Sequence, residues 1–270
     1  MANDKTWRQP LRLALLAALA MAVGQSADAE TVLITGANSG IGLEFARQYA
    51  ALGWNVIATH RRDRAPVQLA ALASERRNVR VERMDVASPE QVKGLAAQLR
   101  GQAIDVLINN AGIFSFLDWM QPSDPNQEFG TLNYEQFDDF MRINVRGPLL
   151  VCEAFIDNVK ASGEKKIVMI TSTLGTISAP EVATRIFWYG TSKAALNKAT
   201  VTLAQVLKHS GVIVVPMHPG SVRVEKQADL HNPGMLETPE SVRHMIAAIG
   251  GLTRRDSGRF LRYDGSGLPW

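Results

Sequence analysis

Tyr189 and Lys193 stand four residues apart in Tyr189-Gly190-Thr191-Ser192-Lys193, a spacing that projects both side chains from one face of a helix. A phenol with a pKa of about 10 is a poor proton donor or acceptor at neutral pH. An ammonium close to it favours the phenolate and lowers that value, which turns the tyrosine into a usable acid/base. Such pairs also stand on solvated helices that do no chemistry, so this spacing alone leaves both readings open.

The elements around the pair narrow the choice. Thr31-Val32-Leu33-Ile34-Thr35 is a short apolar, β-branched run, followed directly by Gly36-Ala37-Asn38-Ser39-Gly40-Ile41-Gly42. Leu43, Phe45, Ala46, Tyr49, Ala50 and Leu52 then recur at helical spacing, and Gly53 supplies a stop signal. A glycine-rich turn between strand and helix lets backbone N–H groups approach a pyrophosphate at the positive end of the helix. Further strand-like runs at Val56–Thr59, Val79–Val81, Ile104–Ile108, Ile167–Thr171, Val212–Val215 and Arg259–Leu261 alternate with helical patterns. That alternation predicts an α/β fold of the Rossmann type: a doubly wound parallel sheet of about seven strands with helices on both faces. The unbroken apolar runs Val106-Leu107-Ile108 and Ile167-Val168-Met169-Ile170 fit strands buried on both sides. With no repeat, low-complexity tract or internal linker, residues 30–270 read as one nucleotide-binding domain that also carries the catalytic site.

From Thr31 to Trp270 the chain resembles the short-chain dehydrogenase/reductase family, in its compact single-domain form. The resemblance rests on Thr35 to Gly42 as the cofactor turn, and on Asp85-Val86 after the third strand as an adenine contact. It rests also on Asn109-Asn110-Ala111-Gly112 after the fourth strand, Asn144 in Arg142-Ile143-Asn144-Val145, and Ser172 in Ser172-Thr173-Leu174-Gly175. Pro219-Gly220-Ser221-Val222 resembles the turn that covers the nicotinamide. The ending Ser257 to Leu261, Tyr263-Asp264-Gly265 and Leu268-Pro269-Trp270 is similar to the subgroup of sniffer-type carbonyl reductases and C-factor-like signalling proteins.

The resemblance implies reversible hydride transfer between NADP(H) and a carbonyl/alcohol pair, an aldehyde or ketone and its alcohol. In it Tyr189 is the general acid/base, Lys193 its charge partner and a ribose ligand, and Ser172 the group that holds the substrate oxygen. Asn144 connects Lys193 to solvent through its backbone and a water. Gly36, Asn38, Ser39, Gly40, Ile41, Gly42, Asp85, Val86, Asn110, Ala111, Gly112, Pro219, Gly220 and Val222, with Tyr189 and Lys193, line the cofactor. Thr59-His60-Arg61-Arg62-Asp63-Arg64 puts no acid at the end of the second strand. An acid there would bind a ribose 2′-hydroxyl, whereas an arginine suits a 2′-phosphate, so Arg61 points to NADP(H) rather than NAD(H). Val224 departs from the family, which often carries threonine there, and removes a hydroxyl that would bond the nicotinamide carboxamide. Phe187 and Trp188, with Phe114, Phe116 and Trp119, are candidates for an apolar pocket or for packing. The stretch Arg223 to Pro239 shows no clear period and is expected to form a flap. A second reading, a nucleotide-binding signalling or scaffold protein with incidental turnover, also fits the ending.

Residues 1–29 differ from the rest. Lys5, Arg8 and Arg12 precede the apolar run Leu13–Val23, and Ala27-Asp28-Ala29 gives a small-x-small cleavage pattern before Glu30. That is the layout of a signal peptide, and the run is too short for a membrane span. Export follows from these residues, while a nicotinamide cofactor argues for the cytoplasm; both remain as expectations. The net charge of +3 falls by one without this leader, which gives no case for nucleic acid as a partner. Cys152 is the single cysteine and reads as a buried thiol. His209, His218, His231 and His244 are scattered, so no metal site is expected. A homodimer or homotetramer through the helices after Asn144 and around Tyr189 is open, as is a monomer.

Overall fold

The computed structural model describes residues 29–115, 124–178, 186–224 and 234–270. Residues 1–28 of the leader, Phe116, Trp119 and His231 therefore lie outside the described residues, as does the middle of the expected flap.

The chain alternates strand and helix: β1 (Thr31–Ile34), α1 (Gly40–Ala51), β2 (Asn55–His60), α2 (Val67–Glu75), β3 (Val79–Arg83), α3 (Pro89–Gln98) and β4 (Val106–Asn109). There follow α4 (Tyr134–Met141), a π turn (Arg142–Arg146), α5 (Gly147–Lys160), β5 (Lys166–Ile170), α6 (Phe187–Leu207) and β6 (Ile213–His218). The pair β7 (Val222–Arg223) and β8 (Leu236–Glu237), α7 (Thr238–Gly250) and β9 (Leu261–Arg262) complete it. Seven strands form one sheet in the order β3-β2-β1-β4-β5-β6-β9, every neighbouring pair parallel. The order reverses between β1 and β4, and that switch point opens a crevice at the carboxyl ends of the strands. The fold is the α/β doubly wound sheet expected from the sequence.

Burial on both faces explains the unbroken apolar strands. On β1, Val32 and Ile34 join Leu43, Phe45, Tyr49 and Met245 on one side, while Leu33 packs with Leu107, Val151, Phe155 and Leu196 on the other. Helix α1 ends where Gly53 takes φ +86, a left-handed cap that other residues adopt only with strain. The expected strands shift by one to three residues at one or both ends, and two of the shifts have a clear cause. Ile104 donates its N–H to Asn158 O at the end of α5, so β4 begins at Val106. Arg259 N bonds Asp256 O in a turn, which delays β9 to Leu261. The expected flap also has more structure than its sequence suggests, since Leu236–Glu237 pairs with Val222–Arg223 and α7 starts at Thr238.

Candidate functional site

The glycine turn after β1 is sewn to the loop after β4. Thr35 Oγ1 accepts from the N–H of Asn110 and of Ala111, each at 3.0 Å. Asn110 Nδ2 donates back to Thr35 O at 3.0 Å and Gly36 O at 3.1 Å. These contacts leave no room for side chains. A Cβ on Gly36 (φ +67) would lie 2.8 Å from Ala111 Cα, and one on Gly42 would lie 2.4 Å from Gly36 O. Ser39 occupies the N-cap of α1 yet makes no side-chain capping bond, its Oγ accepting instead from Asn38 Nδ2 at 3.0 Å. The first turn holds no acid, so the amides at Gly40, Ile41 and Gly42 meet the crevice with the positive end of the helix. That end fits a phosphate or pyrophosphate. Ile41 also packs against the core, and Val224 closes over Gly40, 3.3 Å from where a Cβ there would sit.

Beside this turn, β2 ends in buried polar atoms that lack partners, Thr59 Oγ1 and His60 Nδ1. Arg61 follows, exposed on the loop, while Asp63 is turned away to pair with Arg83 at 2.8 Å. Asp85 spends one carboxylate oxygen on the N–H of Ala87 at 2.9 Å. Val86 is buried against α5, where Gly147 permits the approach. The turn at Pro219 is anchored to α7, since Ser241 Oγ donates to Pro219 O at 2.6 Å. Gly220 (φ +87) lies against Leu236 and Tyr263, and Val222 pairs with Leu236.

The titratable residues converge deeper in the same crevice. Helix α6 carries Tyr189 and Lys193 on one face, with Lys193 Nζ 5.5 Å from the centre of the Tyr189 ring. Ser172, just past β5, hydrogen-bonds the Tyr189 hydroxyl, and its Oγ accepts from Leu174 N at 3.2 Å to cap a tight 3₁₀ turn. Asn144 sits fully buried in the π turn between α4 and α5. Its Oδ1 accepts from Ile113 N at 2.8 Å, and its Nδ2 donates to Ile113 O at 2.9 Å and to Ser192 Oγ at 3.0 Å. Ser192 in turn donates to Tyr189 O at 2.8 Å. Gly112 joins the two halves of the site, because a Cβ on it would stand 3.1 Å from Asn144 Oδ1 and 3.7 Å from Lys193 Nζ.

The electrostatics differ from the expectation drawn from the Tyr-Lys spacing. Burial holds the Tyr189 phenol up at about 12, with the Ser172 hydrogen bond pulling the other way. Lys193 does not offset this, since its ammonium lies over the ring and donates to Ile170 O at 3.0 Å. Burial in turn brings Lys193 down to about 8. At pH 7 the pair is therefore a neutral phenol beside a charged ammonium, a proton donor set against a fixed cation.

Three positioning residues escape a reading of the sequence. Gly175 lets the turn after Ser172 rest on α6, where a Cβ would come within 2.6 Å of Ala194 N and of Lys193 C. Gly190 does the same from the helix side, 3.0 Å from Leu174 O. Gln127 is fully buried and accepts from the backbone N–H of Tyr189 at 2.9 Å. Of the aromatic residues, Phe114 faces the site with its ring centre 4.6 Å from that of Tyr189. Trp188 is packing instead, buried against Tyr134 and Phe137. Cys152 is buried under Asn109, its thiol pushed up to about 12 by burial. Among the described residues no group of three metal-ligating side chains comes together, and no helix is long and apolar enough to cross a membrane.

Comparison with known proteins adds four findings. The family model for short chain dehydrogenases matches residues 30–233. A 1-hydroxy-2-glutathionyl-2-methyl-3-butene dehydrogenase of Rhodococcus sp. (strain AD45) is 31% identical over 243 residues, covering 89% of this chain and 99% of that protein. The C-signal protein of Myxococcus xanthus is 34% identical over 168 residues, covering 62% of this chain and 93% of that one. Among solved structures, the NADPH-bound carbonyl reductase from chicken fatty liver superposes with a TM-score of 0.80 at 30% identity, covering 90% of this chain and 99% of that one.

Proposed function

The chain belongs to the short chain dehydrogenase family, and on that premise we propose that it is an NADP(H)-dependent carbonyl reductase with Tyr189 as its acid/base. The observation that carries this reading is the half-buried Tyr189, with its hydroxyl paired with Ser172 and its ring centre 5.5 Å from the Lys193 ammonium nitrogen. Binding alone needs no such group. The uncapped start of α1, the orphaned polar atoms at the end of β2 and the exposed Arg61 suit a dinucleotide with a 2′-phosphate.

NADPH, when bound, supplies the hydride that adds to the carbonyl carbon of the substrate. Ser172 and Tyr189 both donate to the carbonyl oxygen, so they hold the substrate and aim it. As negative charge grows on that oxygen, Tyr189 gives up its proton to it. The phenolate left behind is stabilised by the Lys193 charge, which counts for more in this dry site than it would in water. Asn144 fixes the α6 turn through Ser192 and holds Ile113, so the lysine and the loop after β4 keep their relative positions. Phe114 against the phenol gives the substrate side an apolar wall, which suits aldehydes and ketones with an apolar neighbour to the carbonyl. The likeness to C-signal favours a second reading, a nucleotide-dependent signalling protein whose turnover is incidental.

Fluorescence titration with NADPH and NADH, followed by NADPH consumption with a panel of aldehydes and ketones, tests the proposal. Tight NADPH binding with turnover of at least one carbonyl is expected. Binding without any turnover would favour the signalling reading, and no binding at all would remove both.

A further inference from the structure

We propose that Gln127, oriented by Asp124, is a positioning residue for Tyr189 that fixes both the start of the catalytic helix and the wall facing the phenol. The inference rests on Tyr189 being the acid/base. Helix α6 begins without a capping side chain of its own, because Ile186 stands at its N-cap. The N–H of Tyr189, in its first turn, is instead satisfied by Gln127 Oε1 at 2.9 Å, from 62 residues away in the chain. The same amide donates through Nε2 to Phe114 O at 3.1 Å, and the Phe114 ring lies against the Tyr189 ring. One side chain therefore holds the helix and the aromatic wall in register.

Asp124 decides which way that amide points. Its carboxylate is buried and accepts from Ser115 Oγ at 2.6 Å, Asn126 N at 3.0 Å and Gln127 Nε2 at 2.9 Å. A carboxylate accepts only, so it draws the Nε2 side of Gln127 and leaves Oε1 for Tyr189. Both polar atoms of the Gln127 side chain are then used, which is what a fully buried amide requires. A residue whose only role was to fill the core would need no such directed set.

Gln127→Leu keeps the bulk and removes every bond. It is expected to lower kcat by roughly tenfold or more while leaving the NADPH Kd within about twofold, because the reacting group is misaligned and the cofactor turn is not touched. A readout independent of substrate is the ultraviolet titration of Tyr189, taken as the difference from Tyr189→Phe. In Gln127→Leu it should move from about 12 toward 10, because Phe114 is no longer tied through its carbonyl and its ring ceases to cover the phenol. Gln127→Glu decides the matter if the leucine variant does not fold. It keeps the acceptor for Tyr189 but sets a second carboxylate beside Asp124, with Glu128 the next residue, so its activity relative to wild type should fall as pH rises and one shared proton is lost. Wild-type kcat and phenol titration in Gln127→Leu, or a constant ratio to wild type across pH in Gln127→Glu, would overturn the proposal. A wild-type enzyme that turns over no carbonyl would defeat the functional reading instead, and the phenol titration would still report on Gln127.

Discussion

Replacing Lys193 with methionine should stabilise the folded chain at pH 7 while removing its activity. Lys193 is buried, and burial alone brings it from the ordinary 10.5 down to about 8. Below about pH 8 the charged form is present in the folded state, and it carries a penalty of about 3 kcal/mol relative to the unfolded chain. Methionine keeps a similar length and apolar stem but strips Ile170 O of its donor, which costs about 1–2 kcal/mol. The net gain at pH 7 is then about 1–2 kcal/mol. Its pH dependence gives the sharper test. Between about pH 8 and 10.5 the unfolded chain still binds the proton that the folded chain has released, so wild-type stability rises with pH in that window. By about pH 9.5 the wild type has recovered about 2 kcal/mol, and the advantage of Lys193→Met disappears. Urea unfolding of both proteins at the two pH values measures this. A variant that is less stable at pH 7, with a difference that does not change with pH, would refute the claim that the lysine is held charged against its burial.

Two further outcomes test the cofactor side. Gly42→Ala puts a methyl group 2.4 Å from Gly36 O and should weaken NADPH binding by about tenfold or more, seen in a fluorescence titration; unchanged affinity would mean that the turn is not the phosphate cradle. Arg61→Ala should raise the NADPH Kd by about tenfold and leave that for NADH alone, since a charge-assisted bond to a 2′-phosphate is worth about 1.5–3 kcal/mol. An equal loss for both cofactors would place Arg61 elsewhere in the site.

Local chemistry that is written in contiguous residues was legible in the sequence. The β-branched run ending at Thr35, the glycines after it and Gly53 at the helix end each act within a few residues, so their types announce their positions. The parallel sheet followed from the alternation of such runs. What was not legible depends on distant contacts. Gln127 sits in a stretch with no period, and its importance comes from meeting Tyr189 N across the fold. Gly175 and Gly190 carry no local sign of their role, since each is needed only where the turn after β5 touches α6. The start of β4 moved because Ile104 is claimed by α5. Helical spacing places the ammonium near the Tyr189 ring but says nothing of burial, and burial is the larger influence on the phenol. The crevice itself was implied by the strand order, whose reversal between β1 and β4 no local pattern encodes.

The most direct test of Tyr189 as the proton donor is a single-turnover comparison of wild type and Tyr189→Phe, each loaded with NADPH and mixed with a carbonyl that the wild type reduces. The fall in NADPH absorbance should be at least about a hundredfold slower in Tyr189→Phe, with the NADPH Kd nearly unchanged. Hydride transfer at the wild-type rate without the hydroxyl would show that the proton comes from elsewhere and that the mechanism given for this site is wrong.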